Sequence, residues 1–118
     1  MGNSVTLPWP HPSLSPNARV HFMALARVKK AARHDAAWAA KSANLTAPDS
    51  ERIKVGLFFH PKDKRPRDRD NLLAMSKAAL DGIADHLCVN DSRFEHHVFV
   101  STPDPDKIGF VIIELMAI

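Results

Sequence analysis

The sequence predicts an α/β or α+β fold, a single small domain over residues 1–118 with a mixed sheet covered by two helices in the order β-α-β-α-β-β. Three observations carry this. Ile53, Val55, Leu57 and Phe59 alternate with Arg52, Lys54, Gly56 and Phe58, which is the period of a strand. Two further apolar stretches, residues 94–100 and 108–115, read as strands near the end of the chain. Two long segments, residues 16–42 and 70–87, instead space their apolar residues three and four apart, as a helix does. A chain of 118 residues can bury a core without disulfides.

Taken in order, Val5-Thr6-Leu7 reads as a short strand stopped by Pro8, Pro10 and Pro12, with Trp9 in an extended turn. Ser15 and Pro16 match an N-cap and first helical position. From there Phe22, Leu25, Ala26, Ala32, Ala36, Ala39 and Ala40 fit one helical face. The opposite face carries Arg27, Lys30, His34, Trp38 and Lys41, either a solvated surface or one that meets DNA backbone, with Trp38 stacking on a base or packing on a partner subunit. After the strand at 53–59, residues 61–69 hold five basic residues and two prolines without apolar periodicity, so an exposed positive loop is expected. The second helix presents Leu73, Ser76, Leu80, Ile83 and Leu87 to the core. Asp70, Lys77 and Asp81 share its other side, because steps of seven and eleven residues are nearly whole turns. A turn at Pro103-Asp104-Pro105-Asp106 is expected to join the last two strands as a hairpin.

The net charge is only +3, from 16 Lys and Arg against 13 Asp and Glu. The clustering of the cations, more than their excess, points to an anionic partner. The one cysteine, Cys88, has no internal disulfide partner and reads as a small hydrophobe at a helix end. With no signal-like start and no long apolar run, a cytoplasmic protein without a membrane partner is expected. The seven histidines have neither cysteine pairs nor the His-x-x-x-His spacing of a zinc site.

The chemistry concentrates at Arg67-Asp68-Arg69-Asp70-Asn71-Leu72. Two carboxylates two residues apart lie on one side of an extended backbone. Such a pair suits magnesium, which binds through one or two carboxylates and leaves its other positions to water and substrate phosphate. The plainer reading of Asp68 and Asp70 is a solvated turn with a helix N-cap. Asp104 and Asp106 repeat the spacing in a proline turn, which accounts for them fully, so they are left out of the site. Lys62, Lys64, Arg65, Arg67, Arg69 and Arg93 are the expected phosphate contacts, supplying salt-sensitive affinity without reading bases.

Together with the Val5-Thr6-Leu7-Pro8-Trp9-Pro10 opening, Ser15-Pro16-Asn17-Ala18-Arg19, Lys77-Ala78-Ala79-Leu80-Asp81-Gly82-Ile83 and Val89-Asn90-Asp91-Ser92, these residues resemble the RusA-type Holliday junction resolvases, small endonucleases of phages and prophages. The resemblance covers most of the chain. It implies a homodimer that binds branched DNA, the four-way junction, and nicks two opposed strands with Mg2+, or Mn2+ as a substitute. It maps the metal carboxylates onto Asp68, Asp70 and Asp91, the catalytic lysine onto Lys77, and a supporting role onto Asp81. The chain departs from one version of the pattern, in which the lysine stands one turn after the second aspartate; Ala74 occupies that place, and Lys77 follows one turn later. Two alternatives stand beside the resolvase: a branched-DNA-binding protein of the same fold without catalysis, and a phosphodiesterase acting on another substrate.

Overall fold

The computed structural model describes residues 3–118. The alternating stretch becomes the second strand, β2 (Ile53–His60), and its odd-numbered side chains explain the rest of the fold. Ile53, Val55, Leu57 and Phe59 are wholly buried beneath the helices. Around them close Val5 and Leu7 of β1 (Asn3–Pro8), Phe94 of β3 (Phe94–Val100), and Val111, Ile113 and Leu115 of β4 (Phe110–Ala117). Ala36 and Ala40 of α1 (Phe22–Ser42), Leu72 of α2 (Arg69–Met75), and Leu80, Ile83 and Ala84 of α3 (Lys77–Leu87) complete one contiguous core. The molecule is a single α+β domain: a mixed four-stranded sheet with three α-helices among the described residues.

The sheet order is β1-β4-β2-β3. The expected hairpin between the last two strands does not form. β3 lies parallel to β2 at the sheet edge, and β4 inserts antiparallel between β1 and β2. The reason lies in the connections. The α2–α3 segment crosses over and returns the chain to the end of β2 where it began, which makes β3 parallel. Residues 101–109 then carry the chain past the end of β2 and are pinned there: the Ser101 N–H donates to the Phe59 carbonyl (2.8 Å) and the Asp104 N–H to that of Pro61 (2.7 Å). Asp104 is buried and organises this turn, its two carboxylate oxygens accepting the N–H groups of Asp106 and Gly109, each at 2.9 Å. Those donors hold its carboxyl below the usual carboxylate range. Gly109, at φ 97°, packs on Trp9 in a backbone conformation that side chains disfavour.

Two helix expectations also change. The first helix begins at Phe22 rather than Pro16. Ser15 accepts from the Asn17 N–H and caps only a turn (3.3 Å), while His21 caps the helix through Nδ1 and the Met23 N–H (3.2 Å). Phe22 stacks on His21 and is exposed rather than part of the core face. The second helix is two helices, broken at Ser76. That residue is buried, and its hydroxyl donates back to the Leu72 carbonyl (3.0 Å), a bond that competes with the ladder and bends helices. α3 packs directly on α1: a Cβ on Gly82 would stand 2.0 Å from the Arg33 carbonyl oxygen. A two-pronged Arg33–Asp85 ion pair (2.6 and 2.8 Å) lies at the same crossing. Cys88 ends α3 in the left-handed conformation and is exposed, so the expected small-hydrophobe role does not hold.

Candidate metal and nucleic-acid site

Asp68 stands where the basic loop turns into α2. Its Oδ1 accepts the N–H groups of Asp70 (2.9 Å) and Asn71 (3.4 Å), so it caps the helix as the plainer reading expects. Oδ2 takes no part in the cap. Asp68 and Asp70 line an open cleft of about 490 Å³ whose other walls are Lys64, Arg65, Arg67, Arg69 and Val100.

The loop is shaped by Asp63. Arg65 Nε donates to one of its oxygens (3.0 Å) and Arg67 to the other (2.7 Å), and these contacts, led by the Arg65 backbone N–H, lower its carboxyl pKa. Arg67 is the least exposed of the loop cations, at 14%. It also donates to the Asp63 carbonyl (3.0 Å) and lies 5.9 Å from the Trp9 ring centroid. Arg67 thus holds the loop's shape, while Lys62, Lys64 and Arg69 are exposed and Arg65 shares its charge with Asp63. Arg93 stands elsewhere. It donates to the carbonyls of Glu51 (2.9 Å) and Ser50, tying the entry of β2 to that of β3, away from the loop with which it was grouped.

The other predicted groups gather at a second place. Lys77 and Asp81 line a groove of about 650 Å³ between α1, α3 and the turn at residues 13–18, together with Ala74, Lys29, Lys30 and Arg33. Asp91, in a short 3-10 turn before β3, is a neighbour of Asp81. Burial first, and Asp91 second, raise the Asp81 pKa above the usual range. Facing them, His96 on β3 has a lowered pKa, from burial and then from Lys77. Among the described residues no three His, Cys, Asp or Glu side chains form a metal-holding group, and Asp91 is not among the residues that line the cleft of Asp68 and Asp70. The carboxylates form two pairs instead. The Asp68–Asp70 pair fits magnesium by its donors, since two hard oxygen ligands suffice when phosphate and water supply the rest.

Sequence reading did not single out Lys29 or Arg33, and it weighed His96 only as a zinc ligand, a reading it set aside. The first two were legible as cations four apart on α1, a spacing that puts them on one side. On the neighbouring face Trp38 is 56% exposed, its indole N–H donates to His34 (3.2 Å), and Lys41 lies 5.0 Å from its ring centroid.

Fold and cleft together define the class: a one-sided α+β domain that sets two carboxylates in a basic cleft. The chain belongs to the same family as an uncharacterized protein of Xylella fastidiosa (strain Temecula1 / ATCC 700964), with which it is 38% identical over 118 residues, spanning 98% of this chain and 76% of that protein. No protein-family model matches the chain.

Proposed function

We propose that the protein is a RusA-type crossover junction endodeoxyribonuclease, a cytoplasmic homodimer that resolves four-way DNA junctions by metal-dependent nicking of opposed strands in recombination and repair of phage or prophage DNA. The supporting observation is the placement of Asp68 and Asp70 in a cleft whose walls include Lys64, Arg65, Arg67 and Arg69. Carboxylates in a cationic cleft suit a divalent ion and a phosphate bound side by side.

Asp68, through the oxygen not used in capping, and Asp70 would hold Mg2+ or Mn2+. Bound there, the cation supplies charge for the scissile phosphate and a water acidic enough to attack phosphorus. Lys64 and Arg69 hold the phosphate from the loop side, and the Arg67–Trp9 contact keeps that loop in place. A two-fold dimer presents two such sites to a substrate with approximate two-fold symmetry.

The displaced lysine, with Ala74 one turn after Asp70 and Lys77 lining a different groove, favours a second reading, a protein that binds junctions without cutting them. One experiment divides the two. A labelled four-way junction and its linear duplex are incubated with the protein in magnesium, manganese and EDTA, alongside Asp70→Asn. Paired symmetric nicks that need metal and disappear in the variant are expected. Tight junction binding with no nicks in either metal would leave the binding module, and restoring a lysine at Ala74 would be the next step.

A further inference from the structure

We propose that the groove between α1 and α3 is a second phosphate track, which takes the backbone of the DNA strand leaving the Asp68–Asp70 cleft through Lys29, Lys30 and Lys77. It rests on the reading of the protein as a DNA enzyme. Three features of the geometry support it.

The first is continuity. Asp70 lines the cleft, and Ala74, Lys77 and Asp81 line the groove. Asp70 and Ala74 stand one turn apart on α2, so the cleft and the groove adjoin along that helix. A strand leaving the cleft along α2 runs directly into the groove. One strand can therefore occupy both sites.

The second is the arrangement of charge. Lys29, Lys30, Arg33 and Lys77 border the groove against the single carboxylate of Asp81. Arg33 is committed to Asp85 and fixes the wall, which leaves the three lysines to meet a ligand. Lys29 and Lys30, as neighbours on a helix, point about 100° apart. They cannot converge on one small anion, and they suit an extended polyanion with several charges.

The third is the wall opposite α1, where Ser13 and Ser15 bring hydroxyl groups to a groove open to solvent. Hydroxyls beside lysines are common partners of phosphate oxygens.

The test is the salt dependence of junction binding in EDTA, for wild type, Lys29→Ala/Lys30→Ala, and a control of equal charge change, Arg52→Ala/Lys54→Ala, on the uncovered side of the sheet. The groove variant is expected to lower the magnitude of the log K against log salt slope by about 0.9 per lysine, and the control to leave it at the wild-type value. Alanine is well tolerated in helices, and thermal melts of each variant confirm folding. A wild-type slope in the groove variant, or an equal drop in the control, overturns the track while leaving the nuclease reading intact. Wild-type protein that binds no DNA overturns both.

Discussion

Asp68 answers two demands at once, and the choice of substitution separates them. Its Oδ1 caps α2, so Asp68→Ala should cost about 1 kcal/mol in urea unfolding, whereas Asp68→Asn keeps a capping oxygen and should change stability by only a few tenths. Both should lose metal-dependent nicking, because the amide removes the charge that holds a cation. An Asp68→Asn protein that is stable and still cuts would leave the cap as the residue's whole role. The sequence showed both uses of this aspartate but not their coexistence, since which oxygen a cap occupies depends on the turn it closes. It showed less at Arg93, whose placement among phosphate contacts gave no hint of the Ser50 and Glu51 carbonyls it serves. Those lie more than forty positions away, beyond the reach of local pattern. Asp81 carries the clearest pH signature. Burial and then Asp91 raise its folded pKa above the unfolded value, so it binds its proton better in the folded chain. The stability this lends is full below the ordinary carboxylate range and is lost as pH rises through the raised pKa. Removing the neighbouring charge with Asp91→Asn should therefore increase stability at neutral pH in EDTA and flatten the dependence just above pH 4, as read by thermal melts. A loss of stability instead would show that Asp91 supports the fold in some further way.

At the scale of elements, existence and type were legible while pairing was not. The apolar periods gave four strands and the helical segments between them, because burial imposes those periods locally. Nothing in the period of β3 and β4 says which strand each will join. The parallel β2–β3 pair follows from the crossover, and the position of β4 from the pinned turn around Asp104, both long-range consequences. The break at Ser76 was hidden for a related reason: serine fits the apolar arc by position, and only its bond to the Leu72 carbonyl reveals the bend. The contact between α1 and α3 depends on Gly82, where any side chain must push the helices apart. Gly82→Ala places a Cβ against the Arg33 carbonyl, backbone that cannot swing aside, and should cost about 1–3 kcal/mol, the range for overpacked cores. Because the same crossing forms one wall of the basic groove, the variant should also weaken junction binding. Gly56→Ala is the contrasting control. Its Cβ would meet only the outer ring atoms of Phe58, which can move, so its cost should be smaller. Equal losses at the two glycines would mean that the helix crossing is looser than its geometry shows.

For the whole molecule, the pairing of Asp68 with Asp70 and of Asp81 with Asp91 turns the metal question into a stability measurement. A ligand that binds only the folded protein raises its stability by RT ln(1 + [L]/Kd), about 2.7 kcal/mol at a hundredfold excess over Kd. Magnesium added after EDTA treatment should therefore raise the unfolding temperature, with no need for DNA or turnover. The two pairs make different predictions about which substitution removes that rise. If Asp68 and Asp70 alone hold the ion, Asp70→Asn should abolish it and Asp91→Asn should leave it, since Asp91 is not among the residues lining their cleft. If the ion sits instead between Asp81 and Asp91, the pattern reverses, and magnesium should also compete with the proton that Asp81 favours, so the rise would shrink as pH falls toward the carboxylate range. Loss of the rise in both variants would mean that Asp70 and Asp91 hold the ion together, as the resemblance implies. In that event Lys77, which opens α3 directly after the break at Ser76, would be the next residue to substitute, with nicking rather than melting as its readout.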